Sequence, residues 1–95
     1  MAENRERPWR IKTLPPGQAD LDALPDHIRA EALAAIQDLG ADPFPLDCVA
    51  LRGHTSLYRT KFYGDRYRLI YEVSPQQRTV KILRARPRSD AYHGL

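Results

Sequence analysis

The sequence predicts an α+β domain in the order β-α-α-β-β-β: an antiparallel sheet of about four strands with a helical hairpin packed on one face. Three observations point there. Residues 57–73 alternate apolar or aromatic side chains with basic ones on either side of Gly64-Asp65, the period of a half-buried hairpin. Residues 25–39 carry Ile28, Ala32, Ala35, Ile36 and Leu39 at helical spacing, with Leu33 beside them. Between the two, Asp42-Pro43-Phe44-Pro45 forbids helix and forces an extended connection.

In order, residues 1–7 are polar, charged and without period, and read as a disordered tail. A single domain follows over residues 8–95, a length that supports one modest core. Residues 8–14 form a first strand with Trp9, Ile11 and Thr13 on one face and Arg10 and Lys12 on the other, and Pro15-Pro16-Gly17 stops it. Residues 18–24 suit a short helix; Pro25 then opens the longer one, with Asp26 favouring its positive end. Gly40 stands where a C-terminal cap belongs, and Phe44 plugs the core. Three strands close the chain, at residues 58–63, 66–73 and 78–86, with Gly64-Asp65 as a two-residue connection and Ser74-Pro75-Gln76-Gln77 as the second turn.

The composition excludes several classes. No apolar run is long enough for a membrane span, and no signal-peptide core is present. The single cysteine, Cys48, has no partner for an internal disulfide, which suits a reducing cytosol; it reads as a half-buried, inert thiol. The net charge is only +3, but residues 14–51 hold seven acids and one base, Arg29, whereas residues 52–88 hold ten bases and two acids, Asp65 and Glu72. That asymmetry attracts a polyanion or an acidic partner, or merely solubilises a sheet.

Period two places Arg59 and Lys61 on the same open face as Arg68 in the next strand. Arg84, Arg86 and Arg88 lie on or just beyond the last strand, and Tyr92 follows four residues later. Adjacent like charges repel, so such a face either tolerates them in water or offsets them with an anion. Chemically it suits a phosphodiester site without metal: arginines pair with phosphate oxygens, and a lysine held among cations is a candidate base. His54 and His93 lack ligand spacing, Glu72 is the face's only acid, and there is neither a glycine-rich phosphate loop nor a serine elbow. No cofactor is expected.

Six strings in this order resemble the RelE/ParE toxin superfamily of bacterial type II toxin–antitoxin pairs, across nearly the whole of residues 8–92. They are Leu24-Pro25, Asp42-Pro43-Phe44-Pro45, Leu51-Arg52-Gly53, Tyr58-Arg59-Thr60-Lys61, residues 64–71 and residues 86–92. The resemblance leans to the RelE branch. It implies a metal-independent endoribonuclease that cuts mRNA on the ribosome: the ribose 2′-hydroxyl attacks the adjacent phosphate, leaving a cyclic phosphate and a 5′-hydroxyl. It assigns base or 2′-hydroxyl activation to Lys61, the scissile phosphate to Arg68, the leaving 5′-oxygen or its phosphate to Arg88 and base stacking to Tyr92. Arg52, Arg59, Arg84 and Arg86 would hold RNA phosphates. Arg59 stands where the RelE pattern has lysine, and an arginine is no base at neutral pH, so the base role falls to Lys61 alone. The implied partners are a cognate antitoxin in a hetero-oligomer, the ribosome and mRNA, in the cytoplasm and not at a membrane. A ParE-like poison of DNA gyrase on the same architecture, or a degenerate chain that only binds its antitoxin, are the alternatives.

Overall fold

A computed structural model describes residues 8–93. The elements are β1 (Arg10–Thr13), α1 (Pro15–Ala23), α2 (Asp26–Ala41), β2 (Val49–Ala50), β3 (Leu57–Phe62), β4 (Tyr67–Ser74) and β5 (Thr79–Pro87). They form one sheet in the order β1-β5-β4-β3-β2, with both helices on one face. The expected α+β architecture is present, with two differences. The sheet has five strands, because Val49 and Ala50 add a short edge against Arg59 and Tyr58. It is also mixed: β1 runs parallel to β5, with Arg10 opposite Thr79 and Thr13 opposite Ile82. The two helices between β1 and the meander supply the crossover that parallel pairing needs. The tail expected at residues 1–7 lies outside the described residues.

The core lies between helices and sheet. Leu21, Leu24, Ile28, Ala32, Ile36 and Leu39 meet Phe62, Leu69, Tyr71, Val73, Val80, Ile82 and Ala85. Central strand β4 is buried from Arg68 to Tyr71. Its Tyr71 hydroxyl donates to the Pro43 carbonyl at 2.8 Å, and burial pushes that phenol well above its ordinary range. Trp9 anchors β1 at the margin of the core, under the Arg78 guanidinium at 4.9 Å. Leu33 falls off the predicted stripe and is 50% exposed. Phe44 does not plug the core; it stays largely exposed and meets the edge of Tyr58 at 5.2 Å.

Two turns differ from the sequence reading. Pro15-Pro16-Gly17 does not merely stop β1 but opens α1: proline lacks the N–H that a first helical turn leaves unpaired. Gly40 does not cap α2, which continues to Ala41; its carbonyl instead accepts the Trp9 N–H at 2.7 Å. Arg29, the lone base of the acidic half, closes the helical hairpin. It donates to the carbonyls of Leu21, Asp22 and Leu24 at 2.9, 3.2 and 2.7 Å, adding to the Leu24 N–H that already caps the Leu21 carbonyl at 3.2 Å.

One irregularity in β5 decides which way the arginines face. Ile70 is opposite Arg84 but Tyr71 is opposite Ile82, so Leu83 is an extra residue, a β-bulge. Strict alternation from Ile82 would turn Arg84 into the core. The bulge restores the phase: Ile82 and Ala85 both face the helices, and Arg84 and Arg86 do not. Helix α1 packs on this bulge through Gly17, where a Cβ would lie 2.7 Å from the Ile82 carbonyl oxygen and 3.1 Å from Leu83 backbone atoms.

Backbone atoms cannot yield as a flexible side chain can, so Gly17→Ala should destabilise the fold by about 1–3 kcal/mol. Urea unfolding should show this as a lower midpoint with an unchanged slope.

Candidate functional site

The cross-strand register aligns Lys61 with Arg68 and Arg68 with Arg86; in the adjoining row, Arg59 aligns with Ile70 and Ile70 with Arg84. By alternation both rows start from the sheet face opposite the core row of Leu69, Tyr71 and Ile82, although the guanidinium groups of Arg84 and Arg86 meet Asp20 on α1. Ile70 is nevertheless fully buried, consistent with cover from the aliphatic stems of the long basic residues beside it.

The basic side chains do not form one continuous cluster. They gather around two carboxylates. Asp65, in the β3–β4 connection, takes three of them. Its Oδ1 lies 3.3 Å from Lys61 Nζ and 3.1 Å from Arg68 Nη2, and its Oδ2 accepts from Arg88 Nη1 at 2.7 Å. Arg68 Nη1 also donates to the Asp65 carbonyl at 2.9 Å and to the Tyr67 carbonyl at 3.3 Å. The Arg68 side chain is only 8% exposed, whereas that of Asp65 is 54% exposed. The hydrogen bond from Lys61, joined by the charges of Arg68 and Arg88, outweighs partial desolvation and holds Asp65 below the usual carboxylate range.

The connection bearing Asp65 has four residues, 63–66, instead of the expected two, because Phe62 pairs with Tyr67. Tyr63 and Gly64 both take left-handed backbone conformations, with φ of 54° and 64°. Tyr63 therefore leaves the strand alternation and packs back against the core, edge-on to His27 at 5.6 Å and Tyr67 at 6.1 Å.

Asp20, on α1, takes the second group. Arg84 donates Nε and Nη2 to its two oxygens at 2.8 and 2.9 Å, and Arg86 Nε approaches at 3.4 Å. The Ala85 N–H donates to the same carboxylate at 3.1 Å. Burial alone would raise the pKa of Asp20, but the hydrogen bonds from Arg84 and Ala85 and the charges of Arg84 and Arg86 lower it below the ordinary value.

The remaining candidates stand apart. Arg59 reaches the Asp47 carbonyl at 3.5 Å. Arg52 is exposed in the loop before β3, about 17 Å along that strand from the hairpin end. Tyr92 is 44% exposed on the turn after β5, next to the fully buried Ala91. A shallow groove of 390 Å³ runs between Asp65, Arg66, Arg88 and Ser89. Among the described residues there is no cluster of acids, histidines or cysteine able to hold a metal, and no helix is long and apolar enough to cross a membrane.

Sequence reasoning missed Asp20 and Asp65 as site components. Asp65 had a local signal, standing four residues after Lys61 and three before Arg68 around a reversal of the chain. Asp20 had none, being 64 residues from Arg84.

No protein-family model matches the chain, and no curated protein does either. Solved structures do. The RelE–RelB complex from Pyrococcus horikoshii superposes with a TM-score of 0.71 at 30% identity, covering 87% of this chain and 98% of that one. The chain belongs to the RelE-like toxin superfamily. The RelBE2 toxin–antitoxin complex from Mycobacterium tuberculosis gives a TM-score of 0.75 at 27% identity over 87% of this chain and 94% of its own. The isolated RelE toxin of E. coli, at 18% identity and a TM-score of 0.72 over 83% of each chain, shares the fold. The RelE-like chain thus keeps its architecture where most side chains differ.

The lowered pKa of Asp20 has a direct consequence. A carboxylate with a depressed folded-state pKa stabilises the fold above its unfolded value and loses that contribution as pH falls through the folded one. Asp20→Asn should therefore cost about 1–3 kcal/mol near neutrality. Urea midpoints across pH should show the gap to the parent closing only below about pH 4.

Proposed function

We propose that this RelE-like chain is the toxin of a type II toxin–antitoxin pair and acts as a metal-independent endoribonuclease on ribosome-bound mRNA. The convergence of Lys61, Arg68 and Arg88 on a single anionic position carries the reading. Three cations drawn from β3, β4 and the segment after β5 meet at the Asp65 carboxylate, and the same donors suit a phosphate group.

In this mechanism Lys61, in its neutral amine form, takes the proton of the 2′-hydroxyl, whose oxygen forms a bond to the adjacent phosphorus. Arg68 neutralises the phosphate oxygens as charge builds on them. The bond to the 5′-oxygen breaks, and Arg88 stabilises that oxygen until it takes up a proton. Tyr92 stacks on a base, and its exposure leaves its ring accessible. Arg59 positions phosphate without acting as a base. Arg84 and Arg86, already tied to Asp20, offer a fixed positive edge. Arg52 serves only a polyanion long enough to reach the far end of β3.

The partners follow from the same surface. An acidic or amphipathic antitoxin segment can add to the two-residue edge β2 and cover the basic face. The exposed Phe44, Leu46 and Val49 lie around that edge and suit its apolar side chains. Ribosomal RNA phosphates would hold the toxin in the cytoplasm, in competition with the antitoxin. One observation favours a second reading: Asp65 already neutralises part of the cluster, as in a chain that binds antitoxin but cuts nothing.

Mapping mRNA 5′ ends after incubation with translating ribosomes separates these readings. Cleavage in the decoding site supports the nuclease; gyrase-linked DNA breaks without it, or neither activity, overturns it. Lys61→Ala and Arg88→Ala should each lower cleavage by about 100-fold or more, and full activity in both would remove the proposed site. If about four phosphates are neutralised, affinity for single-stranded RNA should fall roughly fiftyfold between about 50 and 200 mM salt.

A further inference from the structure

The two carboxylates hold their arginines in different ways. Arg84 offers the side edge of its guanidinium, Nε and Nη2, to both oxygens of Asp20. This is the paired geometry in which a guanidinium binds an oxyanion most strongly. Arg68 gives Asp65 Oδ1 only its Nη2, at 3.1 Å. Its Nε is buried and has no hydrogen-bond partner among the described residues. A buried donor left without an acceptor is unfavourable, so Asp65 satisfies half of the edge it faces. Asp65 is also committed elsewhere, its Oδ2 to Arg88 at 2.7 Å and its Oδ1 to Lys61 as well as Arg68.

A phosphodiester is better matched to these groups. Its two non-bridging oxygens and its ester oxygens can be shared among Lys61, Arg88 and both donors of the Arg68 edge. Asp65 itself is free to leave. It is half exposed on a turn, and open grooves flank it, one lined by Arg66, Arg88 and Ser89, the other by Glu31, Tyr63, Gly64 and Arg66.

We propose that Asp65 is an internal counter-ion that assembles Lys61, Arg68 and Arg88 in the free protein and is displaced from them by the incoming phosphate. It is a positioning residue, acting through the three cations, and it sets the affinity of the site for anions. The inference rests on the nuclease reading only for the identity of the anion.

The test is titration of inorganic phosphate, and separately of a short RNA with a 2′-deoxy scissile position, into the parent protein, Asp65→Asn and Asp65→Glu. Chemical-shift changes in NMR spectra serve as the readout. Asp65→Asn removes the competing charge while keeping its size, so it should bind phosphate about five- to tenfold more tightly. Asp65→Glu keeps the charge and should stay near the parent. Adding Arg68→Ala to Asp65→Asn should abolish the gain. Equal or weaker phosphate binding by Asp65→Asn would overturn the proposal, because Asp65 would then only build the site. If Asp65→Asn does not fold, Asp65→Ser is read by the same criterion. In ribosome assays, Asp65→Asn should lower KM by a larger factor than it changes kcat. Tighter phosphate binding without any cleavage by the parent would keep the counter-ion and sink the nuclease reading. Parent cleavage with unchanged phosphate binding in Asp65→Asn would do the reverse.

Discussion

Everything at the functional end of this molecule answers to repulsion among cations that share a small area of sheet. Lys61, Arg68 and Arg86 are successive cross-strand neighbours, an arrangement that is unfavourable by itself. It is made tolerable by Asp65 and Asp20, each of which draws two or three of the bases toward one point. The bases are thereby fixed in position as well as neutralised. That second effect matters for chemistry, because a catalytic cation is useful only where charge will develop.

The carboxylates also solve a problem of the fold. Edge strands β1 and β2 are short, so parts of β5 and β3 have a neighbouring strand only on the β4 side. Asp20 accepts the Ala85 N–H of β5, and Asp47 accepts the Lys61 N–H and the Thr60 hydroxyl of β3. Unpaired edge donors invite association with other chains. Here acids from the helical half and the loop that follows it occupy them, which ties the acidic first part of the sequence to the basic second part. The charge asymmetry along the chain is thus partly internal, with Asp20 binding Arg84 and Arg86 across the fold.

Much of the candidate site was legible because its signal is local. Period two across a short hairpin is enough to place Lys61 and Arg68 together, and the last strand returns Arg88 to the same end. The orientation of Arg84 and Arg86 was not legible. It depends on the bulge at Leu83, which appears in no residue type and is supported by the close approach of Gly17 from another element. The number of strands was missed for a related reason: Val49 and Ala50 are two residues whose extended form exists only because Tyr58 and Arg59 pair with them. In α2, Leu33 and Ile36 differ little in sequence signal, and only the position of the sheet decides which is covered.

By itself the sequence determined the order of the elements apart from β2, the helical and strand periods, the shared face of Lys61 and Arg68 and the resemblance to RelE-like toxins. These depend on spacing along the chain, where backbone geometry maps sequence directly onto structure. Tertiary structure decided the parallel pairing of β1 with β5, the phase of β5 and the partners of each arginine. Those depend on distances between residues far apart in the chain, such as Asp20 and Arg84, which no local period encodes. The incomplete fit between Arg68 and Asp65 belongs to this second kind, since it is a matter of which guanidinium nitrogen meets which oxygen.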